Sequence, residues 1–316
     1  MKKNILITFI LIVFICNINL IMSSVRDASL LFFNKIFIST FPFMILGDIL
    51  FYFDYHLFLS NTFIGKLMAK SLCLNKYEVT VFLFSIFTSQ PNNAVYIKKL
   101  LDDKIIDIDC ANKLLVFTYF PSISFVIGSI GIIMFNSLKI GLFLYLNVIL
   151  NNVIICLFLK KTHSYNLELI SLKKDTFINV IKSSIIKTFN NQSIILGNLI
   201  LFSILLNLIN SFIKNDFILI VISALLEITN SLNFISILNI NLFLKLFLCA
   251  FCLNFSGLSI LFQSFSILSE YNLNIKKILI IKLIFSLISS FISILLLGIL
   301  YFHHHLYLYQ NMLMLL

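Results

Sequence analysis

The sequence predicts an all-α integral membrane protein: about seven transmembrane helices plus two re-entrant hairpins in an inverted repeat. Three observations predict it: an apolar excess, the spacing of apolar runs, and the lysines placed between them. The chain is 60% hydrophobic and 11% charged over 316 residues, with a mean hydropathy of +1.06. Soluble domains carry about 25% charged residues, and a soluble fold cannot hide this much apolar surface, so lipid is the solvent for much of the chain. The net charge of +10 does not point to nucleic acid, because the lysines flank apolar runs and no basic stretch stands free of them.

A spanning helix needs about 20 apolar residues. Residues 1–28 begin Met1-Lys2-Lys3 and continue as an apolar run over 5–21. They read as an N-terminal transmembrane helix or signal anchor starting in the cytoplasm; a cleaved signal peptide is the alternative. Residues 29–159 form a first repeat. It holds a span over 35–53, a loop with Lys66, Lys70 and Lys76, and a hairpin near 79–101. The hairpin's tip is Thr88-Ser89-Gln90-Pro91-Asn92-Asn93, and its arms are too short to cross. A run over 114–135 follows, broken by Pro121-Ser122, and then a span over 142–159.

Residues 160–190 read as a basic cytoplasmic linker with Lys160, Lys161, Lys173, Lys174, Lys182 and Lys187. Its stretch 180–190 is expected to lie as an amphipathic helix along the inner surface. The second repeat, 191–301, has the same order: a span over 194–213, a hairpin near 217–242 with Glu227-Ile228-Thr229-Asn230-Ser231 at its tip, a run over 244–268 interrupted by Asn254-Phe255-Ser256-Gly257, and a span over 278–300. Residues 302–316 are a tail carrying His303, His304 and His305. An internal duplication explains the matched order. Tracing lysines outward from the linker puts Lys98, Lys99, Lys104, Lys276, Lys277 and Lys282 inside and only Arg26, Lys139, Lys214 and Lys245 outside, which turns the halves upside down relative to one another.

Irregular backbone at membrane depth survives only where protein or water satisfies it. The candidate solute-binding residues are therefore those of the four polar breaks: Thr88, Ser89, Gln90, Asn92 and Asn93; Ser122 and Ser124; Glu227, Thr229, Asn230 and Ser231; Ser256, Gly257, Ser259 and Gln263. Half-helix N-termini present free N–H groups and can hold an anion without a buried Lys or Arg. Two acids lie within apolar runs, Asp48 and Glu227. Each reads as a coupling acid or as a structural one. A proton or cation is the coupling partner considered. No enzymatic motif and no metal or other cofactor site is expected: GxSxG, HExxH and Walker patterns are missing, and Cys249 and Cys252, spaced CxxC, sit inside an apolar run with no second pair.

Several stretches resemble one family. Phe41-Pro42-Phe43-Met44-Ile45-Leu46-Gly47-Asp48 resembles the FPF-type start of the YlbJ-type sporulation integral membrane proteins, members of the nucleoside-recognition Gate domain family. Thr88-Ser89-Gln90-Pro91-Asn92-Asn93-Ala94 resembles that family's Ser-Gly-x-Pro-x-Gly-Ala tip, with both glycines replaced, by Ser89 and Asn93. Leu226-Glu227-Ile228-Thr229 is similar to its Phe-Glu-Ile-Thr stretch, and Asn254-Phe255-Ser256-Gly257-Leu258-Ser259 with Gln263 to its Gly-Phe-Ser-Gly-Phe-Ser segment. The family's Asn-Pro of the next helix is Pro121-Ser122 here. The resemblance runs over about 29–300. It implies a multi-pass protein of the outer forespore membrane that passes dipicolinic acid during spore formation. The wider Gate family implies a nucleoside or other small polar solute. A non-transporting scaffold for a sporulation complex is the remaining expectation. Beyond lipid and solute, the expected partners are a second copy of the chain or other sporulation membrane proteins.

Overall fold

A computed structural model describes residues 2–53, 55–159, 176–213 and 215–313. Every regular element among them is helical. Among the described residues, four helices are long and apolar enough to cross a bilayer: Leu138–Phe158, Phe177–Phe212, Leu242–Ile267 and Ile275–Ile299. The apolar helices Thr40–Leu50 and Ser124–Met134 are shorter.

The N-terminal region departs most from expectation. Helices α1 (Lys2–Cys16), α2 (Ile18–Leu31), a π-helical turn Phe32–Ile36 and α3 (Phe37–Tyr52) follow one another without the loop expected between 21 and 35. No Gly or Pro stands between Asn17 and Pro42, so nothing in the backbone stops the helix there. Polarity changes in this stretch, and side-chain bonds absorb the change. Ser24 Oγ donates to Leu20 O at 2.7 Å and accepts from Asn207 Nδ2 at 2.8 Å. The loop expected around Lys66 and Lys70 is instead α4 (Tyr55–Asn61) and α5 (Phe63–Leu72), the latter capped by Thr62, whose hydroxyl accepts from Gly65 N at 3.2 Å.

Where the hairpins and broken runs are expected, the chain forms pairs of short helices. In the first half α6 (Lys76–Thr88) and α7 (Asn92–Asp102) are joined by the tip Ser89–Pro91. Next, α8 (Ile108–Phe117) gives way to non-helical backbone and resumes as the π-helical segment Ser124–Met134 before α9 (Leu138–Phe158). The second half runs α10 (Phe177–Phe212), α11 (Asp216–Leu226), α12 (Ile228–Ile237), α13 (Leu242–Phe255), α14 (Gly257–Ile267) and α15 (Ile275–Leu313). The backbone of α15 thus continues into the expected tail; the side chains of His303–His305 lie outside the described ones, as do residues 160–175 of the expected linker.

Helix α10 begins well before the predicted 194. Thr176 caps it, and Ser184, Thr188 and Gln192, four residues apart, form one buried face. That face lies on α2 and α3 in antiparallel register. Ser24 meets Asn207, Gln192 Nε2 donates to Thr40 Oγ1 at 2.7 Å, and Ser184 Oγ donates to Asp48 Oδ2 at 2.6 Å. Residues 180–190 are therefore the lower part of a long packed helix, not a separate surface helix.

Packing is inside-out. Large apolar side chains face outward, as Leu146 (62% exposed) and Phe158 (74%) do on α9, where a soluble helix would carry charge. The interior holds polar stripes: Ser286, Ser289, Ser290 and Ser293 on α15 are buried. Ser289 Oγ donates to Asn147 Oδ1 at 2.7 Å, and Asn254 Nδ2 donates to the same oxygen at 3.0 Å, tying α15, α9 and α13 together. Small residues let backbones approach. A Cβ on Gly131 would stand 2.6 Å from the Cα of Gly141. Gly131→Ala is expected to force the π-helical segment off the start of α9 and to cost about 1–3 kcal/mol. Thermal unfolding in detergent measures this; an unchanged midpoint would show that the two segments separate freely.

Candidate functional site

Each hairpin tip rests on the break of its own half. In the first half Gln90 N donates to Phe120 O at 2.8 Å, and Asn93 Nδ2 donates to Thr118 Oγ1 at 3.2 Å. From behind, Asn152 Nδ2 on α9 donates to Tyr119 O at 2.8 Å. The non-helical residues 118–122 thus exchange their lost helix bonds for bonds to the tip and to α9. In the second half α13 ends at Ser256 (φ 73°) and α14 begins at Gly257 (φ +71°). A Cβ on Gly257 would meet Ile228 N and Leu226 O, both at 3.3 Å. The second tip therefore presses directly on the second break, and glycine serves both the positive φ and the close approach.

Both tips, the first break and helix α14 just beyond the second break open on one cavity of about 280 Å³, at the small end of ligand pockets, which run from roughly 300 to 1,000 Å³. Of the predicted residues, Ser89, Gln90, Ser122, Ser124, Glu227, Thr229, Ser259 and Gln263 line it. Thr88, Asn92, Asn93, Ser231, Ser256 and Gly257 do not. Thr88 and Ser231 hydroxyls return to their own helices, at Phe84 O and Glu227 O, and Asn92 Nδ2 donates to Thr88 O. Ser256 and Gly257 shape the break's backbone. The side chain of Asn230 lies outside the described ones. Sequence reasoning missed Thr40 and Ser129, which also line the cavity. Thr40 stands next to the Phe41-Pro42 stretch, and Ser129 is a lone polar residue in an apolar run.

Glu227 is 3% exposed and caps α12, with Thr229 N donating to its Oε1 at 3.0 Å. Its carboxylate therefore answers the helix N-terminus that was expected to receive a solute anion. Among the described residues, no Lys, Arg or His lines the cavity. Gln90 Oε1 and Ser259 Oγ are buried with no hydrogen-bond partner in the protein. Leaving such groups unpaired costs about 1–3 kcal/mol each, and folded proteins keep few of them. Both belong to residues that line the cavity, so both are placed to bond a solute or water there. Asp48 is elsewhere. Besides Ser184 it faces Lys187 Nζ at 3.9 Å and Lys99 Nζ at 4.0 Å, so it links α3, α7 and α10 as a structural acid.

Ser89, at the first tip, has φ 61° and ψ 171°, a region that is essentially glycine's alone. The resembling family carries glycine at this position. Ser89→Gly is expected to raise stability by about 1–3 kcal/mol through relief of that strain, read as an upward shift in thermal midpoint; a downward shift would mean that the serine side chain holds the tip. Asn93, at the position of the other family glycine, sits in ordinary helix. Comparisons with protein-family models, curated proteins and solved structures return no match.

Proposed function

We propose that the chain is a multi-pass membrane transporter of a small polar solute, with the shared cavity as its binding site. One observation carries this reading: both tips, the first break and helix α14 line the same cavity, and two of its buried polar atoms have no protein partner. In this reading the hairpins are re-entrant arms, the two halves are inverted repeats, and residues such as Tyr52 and Leu31, outside the four long apolar helices, belong to further spans. The solute meets broken helices near the midplane, as in many secondary transporters.

The resemblance over 29–300 supports dipicolinate as the solute and the outer forespore membrane as the location. A second reading has its own support. Glu227 lines the cavity and no basic side chain does, which favours a neutral solute rich in N–H and O–H donors, such as a nucleoside. Neither reading calls for enzymatic chemistry or a resident cofactor; the coupling ion is taken up below.

Proteoliposomes with the purified chain test this. Uptake of labelled dipicolinate supports the first reading, and uptake of labelled nucleosides alone the second. Flux of neither sinks transport and leaves a scaffold role. Gln90→Leu with Ser259→Ala is expected to cut flux of the true solute about tenfold, the worth of a single hydrogen bond, without lowering the thermal midpoint, because neither atom is bonded within the protein. Glu227→Gln keeps an acceptor at the α12 cap. It is expected to speed dipicolinate uptake by removing like charge and to slow nucleoside uptake by weakening an acceptor; equal rates in wild type and variant would remove Glu227 from the site.

A further inference from the structure

The sequence-derived topology puts Lys282 at the cytoplasmic surface with Lys276 and Lys277. Those two are exposed, but Lys282 is 1% exposed. It stands on the polar face of α15, four residues before Ser286 and seven before Ser289. Its Nζ lies 4.7 Å from the centroid of the Tyr119 ring. Tyr119 belongs to the non-helical stretch of the first half: its carbonyl is held by Asn152, the next carbonyl by the first tip at Gln90 N, and the following Pro121 and Ser122 line the cavity. The ammonium therefore lies against the stretch whose next residues line the cavity.

Nothing nearby neutralises it. Helix α15 packs on α8, α9 and α13. The buried titratable side chains of these elements and of the break are Cys110, Tyr119, Tyr145, Cys156, Cys249 and Cys252, all thiols or phenols. The charged ones are Asp109 and Lys113 on α8, Lys139 on α9 and Lys245 on α13, each at least partly exposed. Among the described residues no ion pair involves Lys282. A charge in such a place is expensive and marks function by default. One weak attraction offsets part of the cost, the face of the Tyr119 ring. A negative charge arriving in the cavity adds a further attraction that favours the charged form.

We propose that Lys282 is the proton-coupling group of this transporter. Its Nζ takes a proton from water when an anionic solute enters the cavity and returns that proton to water on the other side as the solute leaves. Lys282 thereby supplies the positive charge that the lining lacks. The inference rests on the transport reading and on its anionic form. Binding linkage requires the effect to be mutual: the anion favours the proton and the proton favours the anion.

The test uses proteoliposomes, labelled dipicolinate and a trapped pH dye, with wild type, Lys282→Met and Lys282→Arg. With the membrane potential clamped at zero, wild type is expected to accumulate the label about tenfold per unit of pH gradient, acid outside, the equivalent of one proton moved per solute, with matching internal acidification. Lys282→Met keeps the apolar stem without the charge, and Lys282→Arg keeps a charge that cannot leave. Both are expected to lose accumulation and acidification, down to about onefold. Lys282→Arg should still exchange preloaded label at equal pH, which separates lost coupling from lost folding. Full gradient-driven accumulation in either variant overturns the role of Lys282. Wild-type flux indifferent to the gradient overturns coupling while leaving transport standing. No wild-type flux of the label overturns the anionic transport reading itself.

Discussion

Backbone that leaves the helix in an apolar setting has to find its hydrogen bonds inside the protein, and the architecture is arranged around that requirement. At residues 118–122 the lost helix bonds are replaced by Gln90 N from the first tip and Asn152 Nδ2 from α9. At Ser256–Gly257 the two half-helices meet over the second tip, where the positive φ and a tight approach to Leu226 and Ile228 both favour glycine. The tips cannot be where they are without the breaks, nor the breaks without the tips. The cavity is what remains between two such mutually dependent pairs.

The scaffold follows from the same economy. Where lipid is as apolar as leucine, burying leucine gains little, and helices are held by close approach and by interhelical hydrogen bonds worth about 0.6 kcal/mol each. The serines of α15, the Asn147–Asn254–Ser289 cluster and the Gly131–Gly141 contact are of this kind. The two stretches differ in charge: the acid Glu227 sits at the second tip, and the base Lys282 lies against the Tyr119 ring beside the first break.

Much of this was legible in the sequence, because polarity interrupting an apolar run is a one-dimensional signal. The helix interruptions at Ser89–Pro91, 118–122, Glu227 and Ser256–Gly257 are visible that way, and Ser89, Gln90, Glu227 and Ser259 come with them. The same rule failed where polarity and backbone part company. Residues 22–34 and 177–193 are polar enough to end an apolar run but contain nothing that ends a helix, and their polar faces find each other through Ser24–Asn207 and Ser184–Asp48. Lysine counting placed Lys282 at the surface because it cannot distinguish a flanking lysine from one turned inward on a serine stripe. Thr40 reaches the cavity only through the pairing of α3 with α10, which no local pattern announces.

That pairing also sets an order of events during synthesis. Asp48 and Ser184 are 136 residues apart. At about 5–20 residues per second, the ribosome needs on the order of 10–30 s to supply the second after the first. For that interval α3 is complete while its acid and Thr40 wait for the helix that will cover them. The nascent first half must be kept near water or near the insertion machinery until α10 emerges, which makes the late helix the closing piece of the early one.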